Sequence, residues 1–195
     1  MSNYREYIQS EHARIQSRRG FISTGVLSGS AIALLAGSRI TLAAGSSKSE
    51  AAANDTAILN SAIAAEHQAV AAYQVGAESG LLGAPAKKLA LQFQGHHKAH
   101  VDVLFGAVVE FGGKPVEALS KYEFPTASLK SEADVLAFAA ELERAAVSAY
   151  LNAVPMFDDR TLSKAAASIL GDEAMHWAVL RQTLGQDPVP SAFVS

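Results

Sequence analysis

Glu66, Glu143, Glu173, His97, His100 and His176 are residues whose types and spacing could do chemistry together. An internal repeat singles them out. EHQAVAAY at 66–73 matches ERAAVSAY at 143–150, and GHHKAHVDVL at 95–104 matches GDEAMHWAVL at 171–180. The spacings of the two matches differ by one residue, the signature of a duplicated hairpin. In this register Glu66 pairs with Glu143, His97 with Glu173, and His100 with His176. Residues three apart on a helix share a face, so His97 with His100, and Glu173 with His176, aim two groups at one axis. A lone glutamate on two helices and a ligand-x-x-His pair on two others is the spacing of a two-metal site between four helices. The chain has no cysteine, which removes disulfides, thiolate ligands and cysteine nucleophiles. Any metal must be held by nitrogen and oxygen.

Each residue also has an ordinary reading. A glutamate is by default an exposed helix-surface acid, but Glu66 sits between SAIAA and QAVAAY, where a buried charge needs a partner. Glu141 competes locally with Glu143, and the repeat disfavours it. A lone histidine is more often a core residue than a ligand; for His100 and His176 the matched group three residues earlier reverses that. His67 and His96 each sit one residue from a candidate ligand, point about 100° away, and read as surface or supporting residues. Gln94 with His97 is an alternative pair that breaks the repeat. Tyr73 and Tyr150 follow the lone glutamates by two helical turns. They read either as donors or electron relays to the site or, the reading favoured here, as core aromatics whose hydroxyls find a helix carbonyl.

The elements that must position these groups are helical throughout, since the chain from Asp55 onward is rich in Ala, Leu, Glu and Gln. Asn54 or Asp55 caps a first helix running to about Ser79. Pro85 opens a second that ends near FGGKP, and Ser131 with Asp134 caps a third that stops before Pro155. A fourth runs from Asp159 or Thr161 to Leu184, closed by Gly185. Short breaks make helices one and two, and three and four, antiparallel hairpins. The stretch GGKPVEALSKYEFPTASLKS joins the hairpins. A helix of ~25 residues is ~38 Å long and ~20 extended residues reach ~66 Å, so this stretch can return along the bundle. Helices two and three are then parallel: an all-α four-helix bundle with a long crossover.

With this layout the chain resembles the ferritin-like superfamily, in particular exported single-domain proteins related to rubrerythrin and the di-iron or di-manganese carboxylate proteins. The resemblance spans residues 55–185. It implies two divalent metal ions, iron or manganese, with Glu66 and Glu143 as terminal ligands, Glu173 as a bridge, and His100 and His176 as imidazole ligands. His97 departs from the pattern, standing where the family has a second bridging glutamate. Three carboxylates leave two divalent ions short of about one negative charge, which a hydroxide or oxide bridge would supply; a single ion, or zinc or copper, are the alternatives. The function implied is action on peroxide or dioxygen, as an oxidoreductase or peroxidase if the protein is an enzyme. The rival is a non-catalytic bundle with a structural, stress-related or metal-sequestering role, which His97 favours. The tail QDPVPSAFVS (186–195) offers no fifth helix for a storage cage, and a homodimer is compatible with the chain.

Residues 1–54 read as a separate segment. SRRGFIS precedes the uncharged run GFISTGVLSGSAIALLAGS, then small residues with cleavable sites near Ala43–Ala44 and Ala51–Ala53. Ser17-Arg18-Arg19-Gly20-Phe21-Ile22 resembles a twin-arginine export signal, with Ser23 in place of the frequent lysine. The resemblance implies the twin-arginine machinery as partner and a periplasmic or cell-envelope location. The run touches the membrane as an anchor only if it stays uncleaved. A net charge of -3 with no basic block beyond the N-terminus gives no reason to expect nucleic acid.

Overall fold

The computed structural model describes residues 48–194; the twin-arginine-like segment lies outside the described residues. Four helices account for the domain: α1 Lys48–Glu78, α2 Ala84–Glu110, α3 Glu132–Ala153 and α4 Arg160–Thr183. No helix among the described residues is long and apolar enough to cross a membrane. Their starts follow the expected local chemistry. Pro85 lies in the first turn of α2; Ser131 Oγ accepts from the Asp134 N–H and donates back to its carboxylate; Asp159 accepts from the N–H groups of Thr161 and Leu162. Gly112 and Gly185, just past α2 and α4, have φ of 75° and 72°, a left-handed conformation glycine adopts without penalty.

The first helix departs from expectation. It is already formed at Lys48, and neither Asn54 nor Asp55 caps it. Asp55 is 1% exposed and accepts from the backbone N–H groups of Asp158 (2.8 Å) and Asp159 (2.9 Å), while the Asn54 amide donates to the Met156 carbonyl. These two polar residues tie the α3–α4 connection to α1. The alanine-rich stretch before them continues the helix because alanine has the highest helix propensity.

Contacts across the bundle give its directions. Tyr150 meets Glu66 and Tyr73 meets Glu143, so α1 and α3 are antiparallel. Gln94 on Val70, and Asn60 on Lys114, make α1 and α2 antiparallel. Helices α2 and α3 therefore run parallel, joined by the crossover 111–131, which Asn60 pins at both Lys114 and Val116. This is the ferritin-like four-helix bundle. Its apolar core divides in two. Leu59, Ile63, Leu104, Val108, Leu162 and Ile169 pack toward one end; Ala86, Ala90, Phe93, Leu136, Ala140 and Leu180 pack toward the other. The polar residues lie between.

Candidate metal centre

Glu66 on α1, His97 on α2, Glu143 on α3, and Glu173 and His176 on α4 are each at most 3% exposed. The His100 side chain is 13% exposed. The structure brings all six together as two groups able to hold a metal ion: Glu66, His97, His100 and Glu173, and His97, Glu143, Glu173 and His176. His97 Nδ1 lies 2.8 Å from Glu66 Oε2, and its Nε2 lies 3.3 Å from Glu143 Oε1. His100 Nδ1 lies 3.1 Å from Glu173 Oε1. His176 Nδ1 lies 3.4 Å from Glu143 Oε1 and 3.7 Å from Glu173 Oε2.

The electrostatics describe a metal-free centre that neutralises itself. Burial opposes the protonation of His97, but the carboxylates of Glu143 and Glu66 outweigh it and push its pKa up to about 11. The same balance raises His100, facing Glu173 and Glu66, and His176, facing Glu143 and Glu173, to about 9. Burial works to raise Glu66 and Glu143, yet the facing groups, His100 and His97 for Glu66, and Glu173, His176 and His97 for Glu143, hold both below the usual range. Glu173 is pushed up to about 7, by burial and then by neighbouring Glu143. Protonated imidazoles thus stand where cations would.

Hydrogen bonding tests whether the residues fit a metal. Seven buried side-chain polar atoms lack a hydrogen-bond partner among the described residues, and five of them are His100 Nδ1, His176 Nδ1, Glu143 Oε2 and both oxygens of Glu173. Orphaned polar atoms in an interior are costly and rare, so their convergence needs an explanation. An ion supplies it: the two imidazole nitrogens face the Glu173 oxygens at ion-pair distance without hydrogen-bond alignment, and a metal that displaces the imidazole protons would take the lone pairs of all five atoms.

Supporting residues orient the six. Tyr150 donates to Glu66 Oε1 at 2.6 Å, and Tyr73 donates to Glu143 Oε1. Burial and then these carboxylates raise both phenols well above 10, so they remain donors. Each tyrosine serves the glutamate of the other hairpin, which replaces the expected bond to a helix carbonyl. Asp172 Oδ2 lies 3.3 Å from His100 Nε2 and 3.2 Å from His176 Nε2, leaving their Nδ1 atoms turned inward. His96, half-exposed, places Nδ1 3.1 Å from Asp172 and 2.8 Å from His176 Nε2. Phe93 stacks on His176 with ring centroids 4.0 Å apart.

Three residues weighed from sequence lie elsewhere. The Gln94 amide bonds the Val70 carbonyl and Gln74; Glu141 is exposed and paired with Arg144; His67 is half-buried, and its Nε2 has no partner. Asp172 and Phe93 were not singled out. Asp172 had a signal, since the repeat aligns it with His96, its neighbour in the fold.

On the opposite side, between α1 and α3, a pocket of about 40 Å³ reaches Glu66, His97, Glu143 and Tyr150. Its walls include Ala65, Ala69, Ala145 and Ala146. That volume suits a molecule of a few atoms.

Comparison with known proteins agrees with this architecture. The model of the family described as "Ferritin-like domain" matches residues 54–186, and the chain belongs to that family. A solved structure described as a conserved hypothetical protein, rv2844, from Mycobacterium tuberculosis, is 22% identical. It covers 73% of this chain and 99% of that chain, with a TM-score of 0.63. Its likeness establishes the fold. No curated protein matches the chain.

Proposed function

We propose that this ferritin-like metal-binding protein is exported, holds two divalent ions, iron or manganese, between its four helices, and reduces a small oxidant, peroxide or dioxygen. The observation that carries the reading is the convergence of five unpartnered buried donor atoms in two four-residue groups that share His97 and Glu173. Two bound ions, each passing between the two-plus and three-plus states, would supply the two electrons that, with two protons, turn hydrogen peroxide into two waters.

The chain's own residues do the rest. Glu66, His100, Glu143 and His176 hold the two ends of the centre, and Glu173 and His97 lie between. Asp172 keeps both imidazoles in the tautomer whose Nδ1 faces inward. Tyr73 and Tyr150 fix the glutamates across the bundle. The apolar clusters at either end exclude water, and the alanine-walled pocket offers a small neutral molecule a way to the carboxylates. Export rests on the twin-arginine-like SRRGFIS and the apolar run after it, which point to the twin-arginine machinery and a periplasmic or envelope location.

Elemental analysis of the protein purified without added metal, beside Glu143→Ala and His100→Ala, tests this. Two equivalents of iron or manganese, lost in both variants, together with a visible absorption change on adding peroxide, are expected. No stoichiometric metal would sink it. One observation favours a second reading: His97, held between Glu66 Oε2 and Glu143 Oε1, gives each carboxylate a partner without an ion. A bundle so balanced could serve as a structural or stress-related module. Finding no metal would select that reading; metal that binds without turnover would select sequestration.

A further inference from the structure

We propose that His97 bridges the two metal positions through its ring, Nδ1 ligating the ion held by Glu66 and His100 and Nε2 ligating the ion held by Glu143 and His176. Glu173 spans the same pair through its two oxygens. The inference rests on the two-metal reading above and specifies the role of the residue that departs from the family pattern.

The distances divide by atom. Around Glu173 Oε1 stand His100 Nδ1 at 3.1 Å and His97 Nδ1 at 3.6 Å, and Glu66 Oε2 lies 2.8 Å from His97 Nδ1 and 3.5 Å from His100 Nδ1. Around Glu173 Oε2 stands His176 Nδ1 at 3.7 Å, and Glu143 Oε1 lies 3.3 Å from His97 Nε2 and 3.4 Å from His176 Nδ1. Donor atoms at the corners of a tetrahedron about an ion, ~2.0–2.1 Å from each, are about 3.3 Å apart. The distances above, 2.8 to 3.7 Å, bracket that spacing, and both groups offer two nitrogens and two oxygens. No nitrogen is shared: the ring presents a different one to each side.

A neutral imidazole has one free lone pair, so ligation on both sides requires the imidazolate. Both ring protons leave to solvent as the two ions bind. The anionic ring then supplies the negative charge that three carboxylates lack, and no hydroxide bridge is needed for balance. Two-nitrogen, two-oxygen sets also raise affinity for copper and zinc relative to manganese.

Binding stoichiometry and magnetism test the bridge without any turnover. Zinc is titrated into the metal-free full chain against a chromophoric chelator, for wild type, His97→Ala and the bulk-preserving His97→Gln. Because His97 would ligate both ions, each variant should weaken both equivalents, each by more than the ~10–100-fold that loss of a residue orienting a ligand costs. A loss confined to one equivalent, or none, overturns the bridge and leaves the two-metal reading standing. Wild type that binds no zinc overturns both. Copper(II) provides a second readout, taken on the wild type beside His97→Gln. Two coppers joined by imidazolate couple, and their low-temperature spin signal should fall well below that of two isolated ions. A full signal from two bound coppers, or coupling no weaker in a copper-loaded His97→Gln variant, where only the Glu173 carboxylate would join the ions, overturns the proposal.

Discussion

Asp172 is a single carboxylate serving two imidazoles, and its removal should be felt by both of the proposed metal positions. Asp172→Ala is expected to lower affinity for each ion by ~10–100-fold, read by chelator competition, with helix content by circular dichroism unchanged. Unaltered affinity would remove it from the site. Tyr150→Phe leaves Glu66 Oε1 buried without its donor, which should cost the metal-free protein about 1–3 kcal/mol in urea unfolding. The six central residues were legible in the sequence because duplication wrote the pattern twice, and pairs three apart on a helix must share a face. The tyrosines were not. Helical periodicity places Tyr73 above Glu66, but nothing local says that its hydroxyl crosses to a glutamate 70 residues away on α3. That partnership is fixed only by the packing of α1 on α3.

At the level of elements, the α1–α3 seam stays open because its facing positions are alanine. Ala146→Leu should close the pocket at Glu66 and Glu143, slowing the reaction of metal-loaded protein with peroxide in stopped flow while metal stoichiometry is unchanged. An unchanged rate would place the oxidant's path elsewhere. The polar pair at the start of the domain invites a different substitution. Asp55→Ala strips two backbone N–H groups of their acceptor and should destabilise the fold by about 2–3 kcal/mol, with earlier proteolysis in the α3–α4 connection. The sequence gives α2, α3 and α4 their starts correctly because Pro85, Ser131 and Asp159 act on their own helices. Asn54 and Asp55 have the same local character, yet their partners are about a hundred residues away, so local rules misread them as a cap.

For the whole molecule, the charge balance of the centre sets how the metal-free protein responds to pH. His100 and His176, raised to about 9, and His97, raised to about 11, contribute stability fully present below the ordinary histidine value of 6.5 and lost as pH climbs through 9 and then 11. Glu66 and Glu143, lowered from 4.5, contribute stability present above that value and lost in more acid solution. Glu173, raised to about 7, loses its contribution between 4.5 and 7. Thermal melts of the metal-free protein should therefore show a lower midpoint at pH 9.5 than at pH 5.5; a rising midpoint would contradict the buried charges. The bundle itself was legible from loop lengths, since only a long connection can return along helices and leave the middle two parallel. The tie between Asp55 and the α3–α4 connection bears on how the chain is trimmed. A protease reads its substrate extended, but Ala51–Ala53 lies in α1, within one turn of the buried Asp55 carboxylate. Twin-arginine substrates cross already folded, so cutting there would mean unwinding the turn that locks the far loop. Under the proposed export, N-terminal sequencing of the mature protein should find a cut ahead of the Ala51–Ala53 site, as at Ala43–Ala44.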